Sequence, residues 1–310
     1  MMIKYLPFLT GTYSTAPGLI QLSKHDNNYD KLVFQIDDLY EHYLENKSTC
    51  RKENIRKYYC RHQLSQETIY KVNQYIASQL QKEHPSRFDF SETGDSCILI
   101  NIQSGELIQW DKKTMKLSSN KYLSLFDALC SQVQEDFAIC QLHNHTDWLS
   151  AIHLCAPNHW GAEEKIGKPF DAVHAPVPGM ERTMAHYFKM LQSVVYKGPF
   201  TRYAWGISTD KRLNHHPDAP PGVNKEYWQG RKIDEAAKLF IRTERQNLVG
   251  FPAVNAFLFT IRTYFYEVDL LESNEKKALW SAVRSMSSES LAYKGLTDVT
   301  DYLSKKLFEE

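Results

Sequence analysis

His174 stands between the apolar Val173 and the run Pro176-Val177-Pro178, where prolines restrict the backbone enough to hold an imidazole ring at a fixed angle. A neutral imidazole held in this way can ligate a metal; a histidine satisfied inside the core is the plain alternative. His153 competes for the same role from the strand candidate Trp148 to Cys155. His143 and His145 form an HxH pair whose rings would share a face in a strand, yet they fall at an expected hairpin turn and read first as exposed polar residues. His215-His216, beside Pro217 and Pro220-Pro221, reads as an exposed loop for the same kind of reason.

Charged residues interrupt two apolar strand candidates. Arg245 shares a face with Leu239 and Ile241, an awkward place for a cation unless it meets an anion. Arg242 and Glu244 fall on the opposite face, two residues apart, and can pair with each other or with neighbours. Arg262 breaks the apolar stretch Phe257 to Ile261 at its end, and a guanidinium there is suited to grip a carboxylate through two parallel hydrogen bonds. Glu164, Lys165 and Lys168 read as a solvated helix start and loop, or as a contact for an anion or partner. Trp160, Trp205, Tyr203 and Tyr264 are most simply core aromatics or the wall of a ligand site.

The elements that must position these residues can be read from periodicity. Ile69, Val72, Ile76 and Leu80 line one face of a helix that begins after Ser65 and ends at His84-Pro85. A shorter helical pattern runs around Ile36 to Leu44, and the stretch Pro7 to Gly18 reads as an extended lead-in. Cys97 to Ile102 and Glu106 to Trp110 flank Gln103-Ser104-Gly105 as a hairpin, and Phe137 to Leu142 with Trp148 to Cys155 form a second one around Asn144-His145-Thr146-Asp147. A helix near Tyr122 to Val133 precedes the second hairpin. A proline-rich loop from Pro157 to Pro178 leads into a helix carrying Met184, Phe188, Leu191 and Val195 on one side. Three strand candidates follow, Thr201 to Thr209, Leu239 to Gln246 and Ala256 to Tyr264. The tail from Leu270 reads as two or three helices, with Gly295 stopping one and Thr297 or Asp298 capping the next. Strands joined through hairpins, with helices before, between and after, imply an antiparallel sheet covered on one face, hence an α+β fold.

Composition narrows the function. Lys+Arg and Asp+Glu are equal at 37 each, so no net field draws the chain to nucleic acid or to an anionic membrane, and a small molecule or a protein is the expected partner. The N-terminus reaches Pro7 before any signal-peptide apolar core forms, and no segment approaches the roughly 18 apolar residues of a membrane span, which implies a cytoplasmic protein. Six cysteines are scattered with no CxxC pair, the pattern of buried thiols rather than of disulfides or a cysteine-ligated cluster.

Several separated, ordered motifs then converge. Cys155-Ala156-Pro157-Asn158-His159-Trp160, Glu164-Lys165-Ile166-Gly167-Lys168-Pro169 and His174-Ala175-Pro176-Val177-Pro178-Gly179 occupy the middle of the chain. Arg242-Thr243-Glu244-Arg245-Gln246-Asn247-Leu248 and Phe259-Thr260-Ile261-Arg262-Thr263-Tyr264 follow, with Pro7-Phe8 through Pro17-Gly18-Leu19 and Ala292-Tyr293-Lys294-Gly295-Leu296 at the two ends. Together they resemble the haem-dependent oxidative N-demethylase family over nearly the whole length.

The resemblance implies a single domain over 1–310 with a PAS-like antiparallel core from about 95 to 265, flanking helices, and N- and C-terminal helical extensions, the latter over 270–310. It implies haem b as cofactor and oxidation of a small N-methylated amine with dioxygen, releasing formaldehyde. In the characterised type, partner subunits with flavin and iron–sulfur centres deliver electrons from NADPH, and a folate-linked subunit takes the formaldehyde. This chain has no GxGxxG after a strand and no cysteine cluster of its own, so an electron-donating reductase is expected as a partner. On this reading His174 ligates iron and Arg245 donates to bound oxygen. Arg262, Arg242 and Lys168 would meet haem propionates, and Glu244 would hold a substrate ammonium. Two other readings stay open: a haem- or ligand-binding PAS-like sensor without turnover, and a member that has lost haem and serves assembly.

Overall fold

The stripe Ile69, Val72, Ile76 and Leu80 is buried in the computed structural model, which describes residues 4–223 and 238–309. The first three residues of the N-terminal stretch considered above lie outside the described residues. In chain order β1 (Ile20–Gln21) precedes α1 (Tyr40–Tyr58), β2 (Tyr59–Arg61) and α2 (Gln66–Glu83). Next come β3 (Phe88–Thr93), β4 (Ser96–Asn101), β5 (Glu106–Asp111), α3 (Leu125–Cys130), β6 (Asp136–His143) and β7 (Thr146–His153). Four helices follow, α4 (Ala162–Lys165), α5 (Phe170–His174), α6 (Glu181–Met184) and α7 (Tyr187–Lys197). The chain then forms β8 (Phe200–Ser208), β9 (Phe240–Phe251), β10 (Ala256–Glu267), α8 (Ser273–Arg284), α9 (Ser288–Tyr293) and α10 (Thr300–Phe308).

Seven strands make one sheet in the order β1-β8-β9-β10-β6-β7-β2, and every pairing is antiparallel. The other three, β3-β4-β5, form a small meander. The fold is therefore α+β. Where one covered face was expected, both faces of the large sheet are covered. On the first face, Leu258, Ile139 and Val249 pack with α2, α3 and the meander, while Trp205, Ile207 and Ile241 pack with the C-terminal helices. On the second face, Leu248, Phe257 and Cys140 pack under α7, and Ala138 and Ile152 under α4. Side chains alternate between faces along a strand, so this two-sided cover decides what each strand residue meets.

The β6–β7 turn has positive φ at both Asn144 and His145, 46° and 64°, as a two-residue turn matched to the right-handed strand twist requires. His143 and His145 are both exposed there. The stretch read as one proline-rich loop contains the helical turns α4 and α5, which place His174 at the end of a helix. α1 extends well beyond the expected Ile36 to Leu44 pattern. Its core stripe includes Lys47, 4% exposed, whose Nζ donates to the carbonyls of Cys130, at 2.7 Å, and of Glu135; a lysine in a core position hides the apolar period. The last helix begins after Val299, whose side chain makes no capping hydrogen bond, rather than after Thr297 or Asp298.

Candidate functional site

Arg245 and Arg262 lie directly opposite each other in the β9–β10 ladder, with Tyr203 opposite Arg245 on β8, so all three share the first face. The irregular segment that precedes α1 crosses this face, and its backbone groups need partners that no ladder supplies. Arg245 Nη2 donates to the carbonyls of Asp30 and Leu32, both at 2.8 Å. Asn247 donates to the Val33 carbonyl at 2.8 Å and Thr243 to that of Tyr5 at 2.8 Å. Arg262 pairs with Asp37 at 2.8 Å, and its guanidinium lies over the rings of Tyr43 and Tyr264 at 3.8 and 4.8 Å. Both arginines are essentially inaccessible to solvent. These cations hold the N-terminal segment to the sheet.

Arg242 performs the same task on the second face. Its Nη2 donates to the carbonyls of Ala156 and Pro157 at 2.8 and 3.3 Å, and its Nη1 reaches the Leu213 carbonyl and His215 Nδ1 at 3.4 and 3.2 Å. His215 and His216, expected in an exposed loop, are buried: His215 bonds Asp210 at 2.9 Å and His216 faces Glu163 at 3.3 Å. His153 is fully buried on the first face, 3.0 Å from Asp127.

His174 belongs to the second face. Asp147, on β7, accepts from the Phe170 backbone N–H at 2.7 Å and fixes the start of α5. At the other end of that turn His174 Nδ1 lies 2.8 Å from the Phe170 carbonyl. A carbonyl only accepts, so Nδ1 carries the proton and Nε2 the lone pair. The ring stacks on Phe170 at 4.0 Å, and Phe170 stacks on Tyr187 at 5.5 Å. Burial pushes the His174 imidazole down to about 4, against the Phe170 hydrogen bond, and the positive charges of Lys165 and Arg202 push the same way. The ring is thus neutral at physiological pH.

Around it stands a cationic cluster. Lys165 lies 3.8 Å over the Trp160 ring and is lowered to about 8, by burial first and against the attraction of Glu244 and Glu164. Arg202 and Lys294 are both lowered by burial, with Glu244 opposing in each case. Arg202 Nε is buried without a hydrogen-bond partner, and Lys294 Nζ donates to the Trp205 carbonyl at 2.8 Å. Glu244 is half-buried and accepts from Gln246 at 3.0 Å, with Arg242 Nε 3.8 Å away. Lys168 is exposed on the adjoining loop.

Of the residues singled out in the sequence, the structure therefore brings His174, Glu244 and Lys165 toward one face. Arg245 and Arg262 lie on the other side of the sheet, so Arg245 and His174 cannot flank one ligand, and His153 is likewise walled off from His174. Arg242 is engaged by carbonyls. Arg202 and Lys294 were not singled out as functional; the available signal was strand parity, since Arg202 alternates with Tyr203 and falls on the side of Glu244 once β8 and β9 are in register.

This face sets one neutral imidazole and an aromatic stack beside the cations Lys165 and Arg202 and the carboxylates Glu244 and Glu164. The chain belongs to the family described as haem-dependent oxidative N-demethylase, alpha subunit-like, whose model matches residues 25–304. The second face offers donors of the kind haem uses: the imidazole presents Nε2, as a proximal ligand must, and Arg202 and Lys165 are cations suited to propionates. No helix among the described residues is long and apolar enough to cross a membrane.

Proposed function

We propose that the chain is the haem-carrying subunit of an oxidative demethylase, with the cofactor, as haem b, on the second face of the large sheet. The observation that carries this reading is His174, whose Nδ1–H is held by the Phe170 carbonyl while Nε2 keeps its lone pair. That hydrogen bond sets the tautomer and the ring angle an axial ligand needs. Arg202, Lys165 and Lys294 would hold the propionates, with Lys168 at the rim, and Phe170, Tyr187 and Trp160 would keep water from the ring. Bound haem would supply the activation of dioxygen that oxidises an N-methyl carbon to a carbinolamine, which collapses to amine and formaldehyde.

Glu244 is the acid the face offers to a cationic substrate, and its carboxylate would orient a small methylated ammonium by charge and hydrogen bonding. The antiparallel run β6–β10 supports reading about 95 to 265 as a PAS-like core within one domain, with 270–310 as an extension. The alpha-subunit description supports a partner subunit; we assign it electron delivery through flavin and iron–sulfur centres, and place the complex in the cytoplasm. Oxygen uptake by the haem-loaded chain with a chemical reductant and a panel of methylated amines tests the reading. Uptake should follow the amine, and Glu244→Gln should raise KM tenfold or more, about 1.4 kcal/mol, with an unaltered Soret band. Uptake no greater than the amine-free control would overturn turnover and leave a haem-binding sensor.

A further inference from the structure

We propose that Asp136, His153 and Cys155 form a buried site for a zinc-type divalent metal where β6 begins and β7 ends. Asp136 opens β6 and His153 closes β7, and the Asp136 carboxylate accepts the N–H groups of Cys155 and Ala156 just beyond β7, which brings the three residues together at this end of the sheet. A carboxylate oxygen, an imidazole nitrogen and a thiol sulfur there lie within 4.8 Å of one another, and all three residues are buried.

The state of His153 points to a missing ligand. Its Nε2 lies 3.0 Å from Asp127 Oδ1, and the Asp127 carboxylate is gripped by Arg51, whose Nη1 is 3.1 Å from Oδ2. Asp127 is therefore an acceptor and Nε2 carries a proton, which leaves Nδ1 as the ring nitrogen turned toward the Cys155 side. Nδ1 is fully buried with no close hydrogen bond, and the Cys155 thiol is the polar group it faces. An orphaned polar atom in the interior is destabilising unless something meets it. A carboxylate that holds one ring nitrogen so that the other presents its lone pair is the arrangement that orients metal-bound histidines.

The donor set suits zinc, which takes nitrogen, sulfur and oxygen together in a tetrahedral shell. Each Asp136 oxygen accepts one backbone N–H, from Cys155 at 2.9 Å and Ala156 at 2.6 Å, and keeps a further lone pair. Cys50, on α1, donates to the Cys155 carbonyl at 3.6 Å and accepts from Asn214 at 3.6 Å, so three protein ligands remain for the ion and the fourth position is left to a small ligand such as water. The Asp136 carboxylate and the Cys155 thiolate together balance the two charges of a divalent ion, and Lys47 stands 4.0 Å from Asp136. The metal would staple the start of β6 to the end of β7, independently of haem.

The test uses the full chain expressed without haem and dialysed against a weak chelator. Elemental analysis should find about one zinc per chain. Cobalt exchange should produce an intense near-ultraviolet thiolate-to-cobalt band that survives Cys60→Ser and disappears in Cys155→Ser. Because Cys155→Ser can also unfold the chain, the wild-type result stands alone: a cooperatively folded chain that takes up neither zinc nor cobalt overturns the proposal. So does a folded Cys155→Ser that binds either metal as well as the wild type.

Discussion

A guanidinium on an apolar strand looks the same in sequence whether it meets a propionate or a peptide carbonyl, because the partner is supplied by distant chain. Arg245 and Arg262 meet residues 30 to 37 and Arg242 meets 156 and 157, and no local pattern announces those crossings. Removing such a cation should act on stability. Arg262→Met removes the buried cation facing Asp37, which keeps its hydrogen bonds from Gln134 and the Leu39 N–H, and should lower unfolding free energy by about 2 kcal/mol, read from the denaturant midpoint, with the same Soret intensity per folded chain; a stable variant that no longer takes up haem would contradict this. His174 differs in that its environment is local, Phe170 being four residues away, though the sequence pointed to the prolines rather than to that hook. Its folded value is about 4, against about 6.5 when unfolded, so between these limits only the unfolded chain binds the proton. Its stabilising contribution is present above about 6.5 and is lost as pH falls toward 4, on the order of 2 kcal/mol. In the haem-free chain His174→Gln should flatten that fall; urea midpoints at pH 7 and pH 4.5 that move in parallel for both proteins would contradict it.

Elements were legible where burial follows one simple period. α2 is the clearest, with its apolar stripe buried and Ser65 accepting from the Thr68 N–H at 3.1 Å. Ser65→Ala should cost about 1 kcal/mol and lower Tm by about 2 °C; an unchanged melting temperature would mean that the cap contributes nothing. Both hairpins were legible for the same reason, since turn residues and alternation are local signals. α1 was cut short because its buried positions include Lys47, and α4 and α5 were read as loop because turns of four and five residues are too short for a helical period to show. The edge strands β1 and β2 have two and three residues, below any alternation signal.

At the scale of the whole molecule, the α+β class followed from hairpins and helices, but the strand order did not. β8 and β9 pair across more than thirty intervening residues, and β10 joins β6 across more than a hundred, pairings that are set by tertiary packing and not by local preference. The expectation of one covered face was the error with the largest consequence. Two covered faces divide the charged residues into those that hold the N-terminal segment and those that gather around His174. The same division moves the proposed haem away from Arg245 and toward Arg202, Lys165 and Glu244. The most direct test of the central claim is the absorption spectrum of the chain purified after haem-replete expression. The account predicts a Soret band that His174→Ala weakens or shifts while the variant still folds; a colourless wild-type protein, or a band indifferent to His174, would contradict it.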